Sequence, residues 1–114
     1  MKIYIIGSNG LIGSEVNSFF KNSNYSVATI GRSDDNDVYL DLENVKSSFY
    51  KNLEKDSIFI HCAGITDEEL SNNLESGIRR GTFQLINLVD IAKKAAAKKF
   101  IYISTSHVYG DLNK

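Results

Sequence analysis

The sequence has no proline, a single cysteine, almost no net charge and no long hydrophobic run. One thiol, Cys62, excludes a disulfide framework and a zinc-ligand cluster. The 13 basic and 14 acidic residues leave a net charge of -1, which argues against nucleic acid as the main partner. No apolar stretch approaches a membrane span, and the apolar start reaches Gly7 before a signal-peptide core has formed. We therefore expect a cytoplasmic protein with no membrane and no nucleic-acid partner.

The chain length, 114 residues, fits one small domain with a core of its own. It is short for an enzyme with separate cofactor and substrate regions. Hydrophobic residues make up 42% and charged residues 24%, as in a globular protein. The lack of proline, and a final segment at 110–114 that has the composition of a loop, lead us to expect a fragment of a longer protein.

Strand and helix patterns alternate along the chain. Short runs rich in β-branched and aromatic residues predict buried strands over 3–6, 25–30, 57–60 and 99–104, with a weaker one over 37–40. Helical patterns predict helices over 11–21, 43–53 and about 67–98. The alternation predicts an α/β fold, a doubly wound parallel sheet with helices on both faces.

The long predicted helix opens with a capping box over 66–69. Gly77 and Gly81 lie inside it and predict a break or a close packing contact. Apolar residues recur along it at helical spacing, and we expect them to form a stripe that a second subunit or a missing part of the protein covers. The stripe consists of Leu70, Leu74, Ile78, Leu85 and Leu88.

A glycine-rich loop follows the first predicted strand directly and opens the first helix. Its residues are Gly7, Ser8, Asn9, Gly10, Leu11, Ile12 and Gly13. Gly7 permits the tight turn, Gly10 lets the backbone approach a pyrophosphate, and Gly13 lets helix and strand pack closely. The helix N-terminus adds free amides and a partial positive charge. The context predicts that this loop binds a dinucleotide in a Rossmann domain; the alternative is an ordinary strand-to-helix turn.

The spacing G-x-x-G-x-x-G resembles the extended branch of the short-chain dehydrogenase/reductase superfamily, which contains nucleotide-sugar epimerases and dehydratases. Residues 58–64 resemble that branch's fourth-strand signature, and residues 100–110 its fifth-strand signature, which closes in Val-Tyr-Gly. The resemblance implies a Rossmann-like fold, truncated before the substrate-binding part. It also implies that the end of the fourth strand, Cys62, Ala63 and Gly64, lies beside the cofactor's ribose and nicotinamide.

The same resemblance places Thr105 at the position of the catalytic serine or threonine. A hydroxyl there would hydrogen-bond the substrate oxygen and stabilise charge that develops on it. Ser106 and His107 stand where the dehydratases carry an acidic pair, which disfavours 4,6-dehydration. His107 is either an acid or base near neutral pH or a solvent-facing loop residue.

The family's Tyr-x-x-x-Lys pair, in which lysine lowers the tyrosine pKa, has no counterpart before Lys114. Tyr102 and Tyr109 have no lysine four residues on. Ile78 stands where the branch favours an asparagine in its long helix, so a polar contact there is altered. His61, inside an apolar strand, is interpreted as a core histidine with its hydrogen bonds satisfied.

Cofactor choice is set at the end of the second strand, where an acid would bind the ribose 2′-hydroxyl of NAD. Gly31 occupies the acid's place and Arg32 follows it. Arginine forms paired bonds to a 2′-phosphate, which favours NADP over NAD; alternatively Arg32 lies over the adenine face. Asp41 and Leu42 resemble the family's adenine-edge pair, although Asp41 alternatively caps the following helix.

Together these features predict the NAD(P)-binding part of an epimerase or reductase that acts on a nucleotide-activated sugar by hydride transfer. We expect the parent enzyme to be a homodimer. The alternative is a non-catalytic dinucleotide-sensing or interaction module with the same fold.

Overall fold

The computed structural model describes residues 1–42, 44–46, 48–62 and 74–103. Within them, one parallel sheet contains β1 (Lys2–Ile6), β2 (Ser26–Gly31), β3 (Val38–Tyr39), β4 (Ile58–His61) and β5 (Lys99–Tyr102). The helices are α1 (Leu11–Lys21), α2 (Leu74–Lys94) and a 3-10 helix (Phe49–Asn52). No described helix combines the length and apolar character that crossing a membrane requires.

The strand order β3-β2-β1-β4-β5 confirms the predicted doubly wound α/β architecture. The chain moves from β1 outward to β3 and then returns to the other side of β1 as β4. Ile6 pairs with Ile30 on one side and with His61 on the other, so these strands end level with one another. The reversal creates a topological switch point between the carboxyl ends of β1 and β4, where open α/β sheets bind ligands.

Helices cover both faces of the sheet, as predicted. On one face Ile3, Ile5 and Ile60 pack against side chains of α1, including Val16 and Phe20. The opposite face buries a larger cluster beneath α2 and the 3-10 helix. That cluster includes Tyr4, Ile6, Ile30, Phe59, Leu88 and Ile91. Burial on both faces explains why the central strands are continuous apolar runs.

The predicted helix over 43–53 is wrong. Apart from the 3-10 helix, the described residues of that segment form turns and irregular backbone. Val45, Phe49 and Leu53 recur at helical spacing, yet turns and the 3-10 helix already let them pack against the core. Tertiary packing therefore overrides the periodicity.

The long helix ends at Lys94, four residues before its predicted end; its predicted start lies outside the described residues. Ala96 adopts the left-handed conformation, with φ 56°. The amides of Ala96 and Ala97 donate to the carbonyls of Lys93 and Ala92, at 3.1 and 3.0 Å. This is the Schellman pattern that terminates helices, formed here without the usual glycine.

The expected apolar stripe on this helix is wrong in part. Leu88 is fully buried and Leu85 is half-buried, because this side of α2 faces the chain's own sheet. Ile78 is exposed, as expected, while Leu70 and the side chain of Leu74 lie outside the described residues. Among the described side chains of α2, the large exposed apolar ones are Ile78, Phe83, Ile86 and Val89.

Candidate dinucleotide-binding site

The glycine loop lies at the switch point and makes the tight turn that its sequence predicts. Gly7 has φ 86°, in the left-handed region that favours glycine. The Gly10 amide donates to the Gly7 carbonyl at 3.2 Å, which closes the turn between β1 and α1.

Gly13 and Gly10 lack a side chain for different reasons. Gly13 is buried, and a Cβ there would lie 1.9 Å from the Gly7 carbonyl oxygen, so glycine is required for α1 to pack against the loop. At Gly10 the nearest atom to a Cβ would be that same oxygen at 3.6 Å, an ordinary contact. Because Gly10 is exposed with φ -77°, neither packing nor backbone conformation requires glycine there. The open space it leaves is what a pyrophosphate close to the backbone would need.

The first turn of α1 is open to a ligand. Gly10 is its N-cap, with no side-chain hydrogen bond to the helix amides, and the turn contains no acidic residue. Leu11 and Ile12 follow and are 85% and 46% exposed. An uncapped N-terminus with its partial positive charge suits an anion, and two exposed apolar residues suit the non-polar edge of a nucleotide.

The loop between β2 and β3 folds back against the glycine loop. Asn36 donates from Nδ2 to the Ser33 carbonyl at 3.1 Å and accepts at Oδ1 from Ser8 Oγ at 3.4 Å. A Cβ built on Gly31 would lie 2.8 Å from Nδ2 of Asn36 and 3.2 Å from Oδ1. The Asn36 carboxamide thus occupies the space beside Gly31 where a side chain at that position would project.

A second contact joins the same two loops. Asn9 Nδ2 donates to Asp35 Oδ1 at 3.5 Å, and a hydrogen bond from Ser33 lowers the pKa of the Asp35 carboxyl. Asp37 fixes the far end of the loop by accepting from the backbone amide of Thr29 at 2.9 Å. Arg32 lies exposed between these anchors, and no described carboxylate forms an ion pair with it. Its guanidinium is available to an anion.

Asp41 and Leu42 follow β3 at the same end of the sheet. Asp41 is half-buried and Leu42 is buried. The Leu42 carbonyl accepts from Asn87 Nδ2 at 2.7 Å, which ties this segment to α2. The alternative interpretation, in which Asp41 caps a helix beginning near residue 43, is wrong, because the described residues there form no α-helix.

The end of β4 forms the other side of the switch point. The Cys62 amide donates to the Ile6 carbonyl at 2.7 Å. Partial burial raises the pKa of the Cys62 thiol. His61 is 4% exposed, with its ring against Phe100 and Tyr102. It is the buried histidine that we expected, but its hydrogen bonds are not satisfied, since no described residue is a hydrogen-bond partner of its Nδ1. Burial lowers the His61 pKa.

The remaining predicted site residues, Ala63, Gly64 and Thr105, lie outside the described residues, as do Ser106 and His107. The structure brings together the glycine loop, Arg32 and Cys62 around the carboxyl ends of β1, β2 and β4. The sequence motifs assign no role to Ser8, Asp35 or Asn36. The sequence signal for Asp35 and Asn36 is an unbroken polar run after β2, at residues 32–37, whereas Ser8 lies within the glycine loop.

Comparison with known sequences identifies the family. The sequence model of the NAD dependent epimerase/dehydratase family matches residues 3–114, nearly the whole chain. The chain belongs to this family. The match confirms the resemblance drawn from the glycine loop and the two strand signatures. Among curated proteins, none is similar enough to count as a relative.

Solved structures share the fold. A UDP-galactose 4-epimerase is 20% identical, with a TM-score of 0.79, over 100% of this chain and 41% of its own. The UDP-Glc/GlcNAc 4-epimerase from Campylobacter jejuni is 21% identical, with a TM-score of 0.74, over 99% and 40%. A dTDP-4-dehydrorhamnose reductase from Clostridium acetobutylicum is 25% identical, with a TM-score of 0.69, over 87% and 34%. The chain therefore spans less than half the length of these neighbours.

Proposed function

We propose that this chain is the NADP-binding part of an enzyme that interconverts or reduces a nucleotide-activated sugar by hydride transfer. The observation that carries the proposal is the open, uncapped start of α1 at Gly10, placed at the switch point of a doubly wound sheet. Membership of the NAD dependent epimerase/dehydratase family supports a nicotinamide dinucleotide as the ligand.

The residues present fit such a ligand at several points. The amides that follow Gly10 would hold the pyrophosphate, and Leu11 and Ile12 would cover the cofactor's non-polar edge. Asp41 and Leu42 would lie at the adenine, while Cys62, with Ala63 and Gly64, would line the path to the nicotinamide. The bound nicotinamide supplies the hydride chemistry, and the protein supplies orientation and polarity.

Catalysis is assigned to Thr105 on family resemblance. Its hydroxyl would donate to the substrate oxygen at the carbon that exchanges hydride, and so stabilise negative charge as it develops. Proton transfer requires a further acid or base, which in this family is the tyrosine of the Tyr-x-x-x-Lys pair. Nucleotide sugars are proposed as substrates because the similar structures include two UDP-sugar 4-epimerases and a dTDP-4-dehydrorhamnose reductase. We also propose a homodimer, formed through the exposed apolar side of α2.

Arg32 supports NADP as the preferred cofactor. Its exposed guanidinium follows the end of β2, where the ribose 2′ substituent of a Rossmann-bound dinucleotide lies. Gly31, immediately before it, contributes no carboxylate to bind the 2′-hydroxyl of NAD or to repel a 2′-phosphate. Arginine pairs with phosphate through two parallel charge-assisted hydrogen bonds.

Calorimetric titration of the chain with NADPH and NADH tests this preference. We expect the chain to bind NADPH more tightly than NADH. Arg32→Ala should weaken the affinity for NADPH about tenfold or more, since a charged hydrogen bond contributes about 1.5–3 kcal/mol, and should have little effect on the affinity for NADH. Arg79→Ala, which removes an exposed arginine from α2, is the matched control and should change neither affinity. Equal affinities for the two cofactors in the unmutated chain would contradict the preference.

A further inference from the structure

We propose that Asn36 is a specificity-determining residue that binds the 2′ substituent of the cofactor's adenosine ribose; this rests on the proposed dinucleotide function. In NAD-binding Rossmann domains an acid lies at the end of β2. Asn36 lies in the β2–β3 loop, five residues beyond the end of β2. It enters the space left open by Gly31.

The position of the carboxamide is fixed from two sides. Nδ2 donates to the Ser33 carbonyl at 3.1 Å, and Oδ1 accepts from Ser8 Oγ in the glycine loop at 3.4 Å. The backbone amide of Asn36 also donates to the Ser33 carbonyl, so the loop that carries the side chain is a closed turn. The carboxamide is therefore held between the end of β2 and the glycine loop before any cofactor binds.

That location is where the ribose belongs. A dinucleotide whose pyrophosphate lies on the first turn of α1 directs its adenosine ribose towards the end of β2. Atoms of Asn36 lie 2.8–3.2 Å from where a Cβ of residue 31 would be, so the amide occupies the place of an acid side chain. Any acid introduced at Gly31 would first have to displace Asn36.

The chemistry of an amide differs from that of the acid it replaces. An asparagine side chain has an acceptor oxygen and two N–H donors, and one donor here is used by the Ser33 carbonyl. The oxygen accepts from a 2′-hydroxyl, and the second N–H donates to a 2′-phosphate. A carboxylate retains only the acceptor and repels the phosphate. Asn36 thus admits the 2′-phosphate that Arg32 attracts.

The decisive variant is Asn36→Asp, titrated with NADPH, NADH and adenosine 2′,5′-bisphosphate. We expect affinity for NADPH and for the bisphosphate to fall about tenfold, and affinity for NADH to change less than about threefold, because only the first two carry a 2′-phosphate. Asn52→Asp makes the same charge change in the 3-10 helix and should leave all three affinities unchanged.

A second variant, Asn36→Ala, decides the matter if the aspartate distorts the loop. It removes one hydrogen bond to either cofactor, so affinity for NADPH and NADH should fall by about three- to tenfold, while circular dichroism should still show a folded chain. If the unmutated chain binds NADPH and both Asn36 variants bind like it, the role of Asn36 is wrong and the dinucleotide function stands. If the unmutated chain binds neither dinucleotide, the proposed function fails and the role of Asn36 with it.

Discussion

At the scale of single residues, His61 carries a consequence for stability. Its ring is buried, its Nδ1 has no hydrogen-bond partner in the described part of the chain, and burial lowers its pKa. The unfolded chain therefore takes up a proton on this residue at a higher pH than the folded chain does. Protonation of His61 therefore does not reduce the free energy of unfolding above the unfolded pKa of about 6.5. Below that pH the unfolded chain binds the proton preferentially, and the free energy of unfolding decreases.

We predict that the free energy of unfolding, measured with urea, falls as the pH is lowered from 7 towards 5. One histidine contributes at most about 1.4 kcal/mol per pH unit. His61→Phe keeps an aromatic ring against Phe100 and should flatten this dependence, whereas the control His107→Gln should retain it. Equal pH slopes for His61→Phe and the unmutated chain would show that His61 is not responsible.

At the scale of elements, the strands were predictable and one helix was not. β1, β2 and β4 are apolar on both faces because helices cover both sides of the sheet. Strands buried in this way are nearly continuous apolar runs in the sequence, which made them predictable. The segment around Val45 and Phe49 has helical spacing, yet both side chains pack against the core from turns and a 3-10 helix. Periodicity along one segment carries no information about the surface it must meet.

The exposed side of α2 gives the prediction at this scale. Ile78, Phe83, Ile86 and Val89 are 37–56% exposed, on the side of the helix away from the sheet. If this surface forms a dimer, Ile86→Glu should raise the dimer dissociation constant by about tenfold or more, since burying one large apolar side chain contributes about 1.5–3 kcal/mol.

Sedimentation or light scattering over a range of protein concentrations measures this constant. Phe19→Glu is the matched control, because it places the same charge on an exposed aromatic position of α1. An unmutated chain that stays monomeric at high concentration, or two variants with the same effect, would rule out α2 as the interface.

At the scale of the whole molecule, the sequence was sufficient to predict the family and the sheet architecture. The glycine loop, its flanking strand and helix, and the order of the three motifs all agree with the observed sheet. The contacts of the β2–β3 loop were not predictable, because Asn36 reaches Ser8 across 28 residues of sequence. Such contacts between loops depend on how strands are arranged side by side, which local patterns do not encode.

The first turn of α1 is the proposed dinucleotide site, and Gly10→Val tests this assignment most directly. A Cβ at this position would meet only an ordinary contact with the Gly7 carbonyl, and the backbone angles of Gly10 are open to any residue, so we expect the fold to remain intact. The side chain would occupy the space that the pyrophosphate needs.

Calorimetric titration of Gly10→Val with NADPH, with circular dichroism on the same samples, is the measurement. We predict that the unmutated chain binds, and that the variant shows the same spectrum but at least about a hundredfold weaker binding, a difference of about 2.7 kcal/mol. A folded Gly10→Val variant that binds NADPH at the original affinity would contradict the assignment of this loop.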